Sequence, residues 1–195
     1  MTDAPKAPAL TIRQARLEDY APLGKLLVAA YAALPGMPSP QEQPDYYAML
    51  ANVAGRAAKS ALTVFVATDD QNRLLGSIDF IDDMAQYGSG GTAATVEKAA
   101  GIRLLAVESA FRGKGTGKAL TLFCIDRAHT LGKARLVLHT TRAMQTAWTM
   151  YESLGFVRFP EIDFHQGRLE VFGFQLPLTG AATQGAHRSA AVAPS

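Results

Sequence analysis

The sequence predicts one mixed α/β domain built on a single central sheet. Two observations lead to this. Short β-branched apolar runs, such as Leu62 to Ala67, alternate along the chain with stripes of apolar residues at three- and four-residue spacing. A glycine-rich turn, Arg112 to Lys118, joins one such run to one such stripe. With 195 residues, 48% of them hydrophobic and 18% charged, the chain is long enough to bury a core without covalent staples. A single cysteine, Cys124, excludes a disulfide framework and a cysteine-based zinc site. A net charge of +2 argues against nucleic acid as the main partner. No apolar run approaches the ~20 residues of a membrane span. Met1 to Leu10 contains no apolar core of a signal peptide, so a cytoplasmic location is expected.

The elements follow in order. Residues 1–7 are small, polar and proline-containing, a flexible lead-in. Leu10 and Ile12 open a short strand. Tyr20, Leu23, Leu26, Leu27, Ala30 and Tyr31 form one apolar helical face, and Glu18 and Asp19 suit its first turn because the helix dipole favours anions there. Pro35, Gly36, Pro38 and Pro40 break the chain before a second helix over Pro44 to Ala58. Residues 62–81 read as a hairpin turning at Asp69-Asp70-Gln71-Asn72. Residues 82–101, rich in Gly, Ser and Thr, read as a long solvated connection. Ile102 to Val107 is a strand, and Ala119 to Leu131 a helix stopped by Gly132. Leu136 to His139 is a strand, Met144 to Leu154 a helix stopped by Gly155, and two strands close the domain at Phe156–Phe159 and Leu169–Leu176. The order is β-α-α-β-β-β-α-β-α-β-β over residues 8–178. Residues 179–195, nearly devoid of large apolar side chains, read as a disordered tail.

The chemistry concentrates between Leu104 and Leu131. A glycine-rich turn from strand to helix exposes backbone amides at the helix N-terminus, an anion site suited to phosphates. Arg112, Lys114 and Lys118 add positive charge. A nucleotide-triphosphate loop fails here, because its first glycine falls on Arg112 and its Ser/Thr on Ala119. A dinucleotide fingerprint fails as well, since its third glycine falls on Lys118. The pattern that fits is [Gln/Arg]-x-x-Gly-x-[Gly/Ala], as Arg112, Gly115 and Gly117.

With these residues the chain resembles the GCN5-related N-acetyltransferase (GNAT) superfamily, as a bacterial-type member. Leu105 to Gly117 is similar to its acetyl-CoA signature. Ala147, Tyr151, Glu152, Leu154, Gly155 and Phe156 match its Ala-x-x-x-Tyr-Glu-x-x-Gly-Phe segment, and Ile12, Arg13, Ala15 and Asp19 resemble its opening. The resemblance implies a mostly antiparallel sheet of about seven strands with about four helices, splayed between strands four and five. It implies acetyl-CoA as cofactor, with CoA as product. Leu105, Ala106 and Val107 would pair with the pantetheine arm, and Arg112, Gly113, Lys114, Gly115, Thr116, Gly117 and Lys118 would hold the pyrophosphate. A backbone N–H near Val107 would polarise the thioester carbonyl. Tyr151 matches the family's general acid, and Glu108 is the first candidate for the base. Asp79, Asp82, Asp83 and His139 are alternatives. The family often has Asn seven residues before that Tyr. Here the position is Met144, and Thr140 or Thr141 stands nearby to take over the contact.

The implied function is acetyl transfer to a primary amine of a small molecule, or to a peptide N-terminus, in a chain that the family pattern allows to be a homodimer. The other reading is a non-catalytic acyl-CoA sensor or interaction module. Tyr31, Tyr46 and Tyr47 fall where the acceptor cleft is expected, with at least one of them in the core, and Pro160 to Phe164 is placed to close its other side. Cys124 lies on a core face and reads as structural. His129, His139, His165 and His187 show no metal-ligand spacing.

Overall fold

The computed structural model describes residues 10–178; the proposed lead-in and tail lie outside the described residues. The strands are β1 (Thr11–Gln14), β2 (Leu62–Thr68), β3 (Leu74–Ile81), β4 (Ala99–Val107), β5 (Arg135–Thr140), β6 (Val157–Arg158), β7 (Phe164–Gln166) and β8 (Leu169–Pro177). The helices are α1 (Leu17–Ala32), α2 (Pro44–Ala51), α3 (Val53–Ala57), α4 (Thr116–Thr130) and α5 (Gln145–Ser153). The strands run in the order β1-β2-β3-β4-β5-β8-β6, with β7 added on β8, and only β4 and β5 are parallel. Parallel pairing needs a crossover, and α4 supplies it.

Sequence and structure differ in four places. The expected helix over residues 44–58 is two helices, because Asn52 leaves helical geometry and its Oδ1 accepts from Gly55 N at 2.9 Å, capping α3. β4 begins at Ala99, three residues before the apolar run. Its small residues hide the strand: a Cβ on Gly101 would lie 2.5 Å from the Tyr87 ring. The segment over 82–98 is packed as well as solvated. It carries two 3-10 turns, Met84–Gln86 and Ala93–Thr95, and buries Met84, Tyr87 and Ala93. β7 adds an eighth strand in a stretch too short and polar to show the alternation of a strand.

The sheet separates two apolar layers. Leu23, Leu27, Leu50 and Val53 of α1–α3 pack with Val64, Ala106 and Tyr87 on one face. Leu120 and Cys124 of α4 and Tyr151 of α5 pack with Ile78, Ile102, Leu138 and Phe174 on the other. Asp19 ties the first strand to the first helix. It accepts from both terminal nitrogens of Arg13 (2.6 and 3.1 Å) and from Arg16 N at 2.6 Å. Burial pushes the Asp19 carboxyl up, but these donors prevail and hold it below the usual carboxylate range.

A buried ion pair fixes the α2–α3 corner to the sheet. Arg56 Nε lies 2.8 Å from Asp79 Oδ2, and Arg56 Nη1 donates to the carbonyls of Met49 and Leu50 at the end of α2. Asp79 is thus occupied in holding a helix. Removing one partner of such a pair strands a charge in the core and costs about 3–5 kcal/mol, whereas an apolar pair of similar volume is often neutral. Arg56→Met is therefore expected to lower the free energy of unfolding by about 3–5 kcal/mol in urea denaturation. The double variant Arg56→Met/Asp79→Leu is expected to recover most of that loss.

Candidate functional site

The site starts from one irregularity in β4. Ser77 stands opposite Ala106 and Asp79 opposite Arg103, so Ile78 faces two residues, Leu104 and Leu105. Leu104 takes a φ of +52°, which L-residues rarely adopt, and the extra residue is a β-bulge. The bulge reverses the side-chain phase. Ile102 lies in the α4–α5 layer, while Leu104 and Ala106 lie in the α1–α3 layer. The bulge also bends the strand. β4 pairs with β5 only from Ala99 to Ile102, opposite Arg135 to Leu138. Beyond that point the two strands part, and β5 continues along β8 to Thr140.

The parting leaves backbone groups free. Glu108 N donates to Leu75 O at 2.8 Å, so Val107 and Gly76 form a non-hydrogen-bonded pair. The N–H and C=O of Val107 therefore point away from β3, into the gap. Leu105, two residues back, faces the same way, whereas the backbone of Ala106 turns toward β3. The Val107 carbonyl accepts from Arg112 Nε at 3.2 Å.

The glycine turn adjoins this gap. Gly113 and Gly115 have φ of +73° and +86°, and nothing stands within 4 Å of where their Cβ atoms would be. Glycine is needed there for backbone conformation, not for lack of space. The first amide that bonds back into the turn is Ala119 N, to Gly115 O at 2.9 Å. Among the described residues, the amides from Gly113 to Lys118 have no hydrogen-bond partner. Six consecutive free donors at the positive end of α4 form an anion site. Arg112 and Lys114 are exposed on its rim, and Lys114 Nζ sits 5.1 Å above the Phe111 ring.

Tyr151 projects from α5 and is 6% exposed. Its ring packs edge-on against Phe156 at 5.5 Å, and among the described residues its hydroxyl has no partner. Burial pushes its pKa well up, and the neighbouring Tyr87 and Cys124 add to the rise. Those two residues belong to opposite layers of the sheet, and Tyr151 itself packs in the α4–α5 layer.

On the α1–α3 side of the gap lies a small cleft of about 90 Å³. Arg103 and Leu104 of β4 and His139, Thr140 and Thr141 from the end of β5 form its floor. Tyr46, Tyr87, Ser89 and Phe164 form its walls. His139 is held from both sides. A carbonyl can only accept, so Nε2 donates to Ile162 O (2.8 Å), which leaves the lone pair on Nδ1 facing Tyr87 Oη (3.2 Å) and Ser89 Oγ (3.3 Å). Burial is the main cause that holds the His139 pKa below its ordinary value.

The residues singled out in the sequence are placed as follows. Leu105 and Val107 adjoin the glycine turn, where a Cβ on Gly117 would lie 3.5 Å from the Val107 side chain and 3.7 Å from that of Leu105, and Arg112 folds back onto the Val107 carbonyl. Glu108 lies at the strand end, its carboxylate accepting from Ser109 N and Oγ at 2.9 Å each, outside the cleft lining. Asp83 caps a 3-10 turn through Ala85 N (3.0 Å), and Asp82 and Asp83 line a separate depression at the far end of β4. Tyr31 and Tyr47 are core residues, and Tyr46 lines the cleft. Cys124 is fully buried, and its thiol pKa is pushed up by burial. Arg103, Tyr87 and Ser89 were not singled out by sequence. Only the bulge and the packed 82–98 segment bring them to the cleft, and neither has a local sequence signature.

Comparison with known proteins defines the class. The profile of the acetyltransferase (GNAT) family matches residues 26–156, and the chain belongs to that family, whose cosubstrate is acetyl-CoA. The chain is similar to N-acetylaspartate synthetase of Danio rerio, 42% identical over 62 residues, which are 32% of this chain and 22% of that protein. It spans less than half the length of the curated relatives it matches. A GNAT acetyltransferase of Staphylococcus aureus Mu50 superposes with a TM-score of 0.66 at 16% identity, covering 88% of this chain and all of the other. The yncA protein of Salmonella typhimurium, solved with acetyl-CoA, gives 0.61 at 22% identity, covering 92% and 99%. Among the described residues no helix is long and apolar enough to cross a membrane.

A carboxylate placed among the free amides competes with a bound pyrophosphate. Gly115→Asp, at a φ that Asp tolerates better than most residues, is expected to weaken CoA binding at least about tenfold in calorimetric titration.

Proposed function

We propose that this protein moves the acetyl group of acetyl-CoA to the primary amine of a small molecule. The observation that carries the reading is the open edge of β4, with the outward Val107 N–H, running into six free amides. That arrangement fits a long ligand with an amide-bearing arm and a diphosphate. Gly113 to Lys118 would hold the diphosphate. The outward backbone groups of Leu105 and Val107 would hold the pantetheine arm, and the Val107 N–H would stabilise charge developing on the thioester oxygen. Met144 offers no side-chain amide to the cofactor, so the contacts to its arm fall to the edge of β4. That N-acetylaspartate synthetase, by its name, yields the N-acetyl derivative of a small amine is consistent with this reading.

The amine attacks the thioester carbon, so a C–N bond forms and the C–S bond breaks. The attacking nitrogen must lose a proton, and the departing sulfur must gain one. Tyr151 is our candidate for the second transfer. Its raised pKa keeps it protonated through the neutral range, and its hydroxyl is free to donate. For the first transfer two groups compete. His139 lines the cleft and keeps an unprotonated Nδ1, shared with the Tyr87 and Ser89 hydroxyls, while Glu108 sits outside it with its carboxylate bonded to Ser109. We therefore assign the proton to His139 Nδ1, directly or through the Ser89 hydroxyl.

Tyr151→Phe keeps the ring packing and removes the acid. It is expected to lower kcat by about 10²-fold or more with acetyl-CoA affinity unchanged. In the same thiol-release assay His139→Gln is expected to lower kcat/KM more than Glu108→Gln does. Unchanged turnover in Tyr151→Phe would remove the acid role and leave the binding groove standing.

A further inference from the structure

We infer that the acceptor is an amine that carries a carboxylate, and that Arg103 is the residue that reads it. This rests on the acetyl transfer proposed above and names the acceptor class for the same cleft.

The bulge at Leu104 puts Arg103 and Leu104, neighbours in sequence, on the same face of the sheet. Both line the cleft. The guanidinium is anchored but not neutralised. Its Nη1 donates to the carbonyls of Tyr87 (2.7 Å) and Gly88 (2.8 Å), and it sits 5.5 Å over the Tyr87 ring. Among the described residues, its Nε and Nη2 have no hydrogen-bond partner, and no carboxylate stands within ion-pair distance of it. Asp79 lies opposite in register, but its Oδ2 is taken by Arg56. No acidic residue lines the cleft. The positive charge is felt throughout it: Arg103 opposes the rise in the pKa of Tyr46 and Tyr87 and helps to lower that of His139.

A half-buried guanidinium with two unpaired nitrogens and no counterion in ion-pair reach is a ready anion contact at the cleft wall. A planar carboxylate meets its two free nitrogens and completes the pair. A second, independent feature marks the same place. The Oγ1 atoms of Thr140 and Thr141, in residues 1% and 4% exposed, have no partner and also border the cleft. Buried hydroxyls left unpaired await polar atoms from a ligand. A polyamine finds the reverse of what it needs, since its second ammonium would lie near Arg103 with no carboxylate to receive it. The remaining lining includes Leu104, Met144, Phe164 and Val171, and the cleft is only about 90 Å³. The acceptor that fits is a compact α-amino acid, or a related amino-carboxylate, with a small apolar side chain.

The test uses the full chain with acetyl-CoA and thiol release as readout. The panel is alanine, valine and methionine, the three matching amides, and spermidine. The amino acids are expected to exceed their amides and spermidine in kcat/KM by about tenfold or more. Arg103→Gln is expected to lower the amino-acid values by a similar factor through KM. It should change the amide values by no more than about twofold, so that the discrimination disappears. Acetyl-CoA titration of the variant shows that the fold and cofactor groove persist. Preference for spermidine, equal use of amides, or an equal loss on amides and amino acids in Arg103→Gln overturns the inference while leaving acetyl transfer in place. Thiol release from no amine, with acetyl-CoA bound, overturns the proposed transfer instead. In that case calorimetric titration of methionine into the CoA-saturated protein decides the carboxylate site. Binding that Arg103→Gln abolishes supports it, and no binding overturns it.

Discussion

The site depends on one residue too many in β4. Ile78 faces both Leu104 and Leu105, and Leu104 accepts an unfavourable φ of +52° to fit. A left-handed leucine costs on the order of 1–2 kcal/mol, so the rest of the sheet must hold it in place. Three features follow from that single insertion. β4 bends off β5 after Ile102, the Val107 N–H is left pointing into a gap, and Arg103 shares a face with Leu104. A regular strand would pair with β5 along its whole length, and the groove would be closed by sheet hydrogen bonds.

The groove and the cleft are held by different means. The groove is backbone: free amides on a strand edge and at a helix start, positioned by the packing of α4 on β3 and β4. Its chemistry is insensitive to most side chains, glycines excepted. The cleft is side chains drawn from distant parts of the chain. Tyr87, Arg103, His139 and the Ile162 carbonyl form one bonded set across four elements. Each polar group in that set orients the next: Ile162 fixes the tautomer of His139, which in turn receives the Tyr87 hydroxyl.

That contrast explains what the sequence reveals. The glycine turn before α4 and the helix that carries Tyr151 are legible, because Gly113, Gly115 and Gly117 stand between a strand and a helix and the Tyr151 stripe is followed by Glu-x-x-Gly-Phe. The helices and the 62–81 hairpin are legible from periodicity. The bulge is not, because Leu104 is neither glycine nor asparagine and continues an apolar run. Arg103 therefore reads as an ordinary strand residue. Glu108 is drawn from its position alone, whereas its carboxylate serves the adjacent Ser109. Asp79 is spoken for by Arg56, 23 residues away, and no local pattern shows that. The break at Asn52 could have been read from the preference of Asn for helix starts.

In the reading proposed above, the open edge of β4 and the free amides before α4 form one ligand-binding surface. Hydrogen–deuterium exchange with and without acetyl-CoA tests it most directly. Protection on binding is expected to concentrate in two peptides, one covering Arg103 to Val107 and one covering Gly113 to Lys118, with the α1–α2 region little changed. Protection confined to other segments, or none in either peptide at saturating acetyl-CoA, would contradict it.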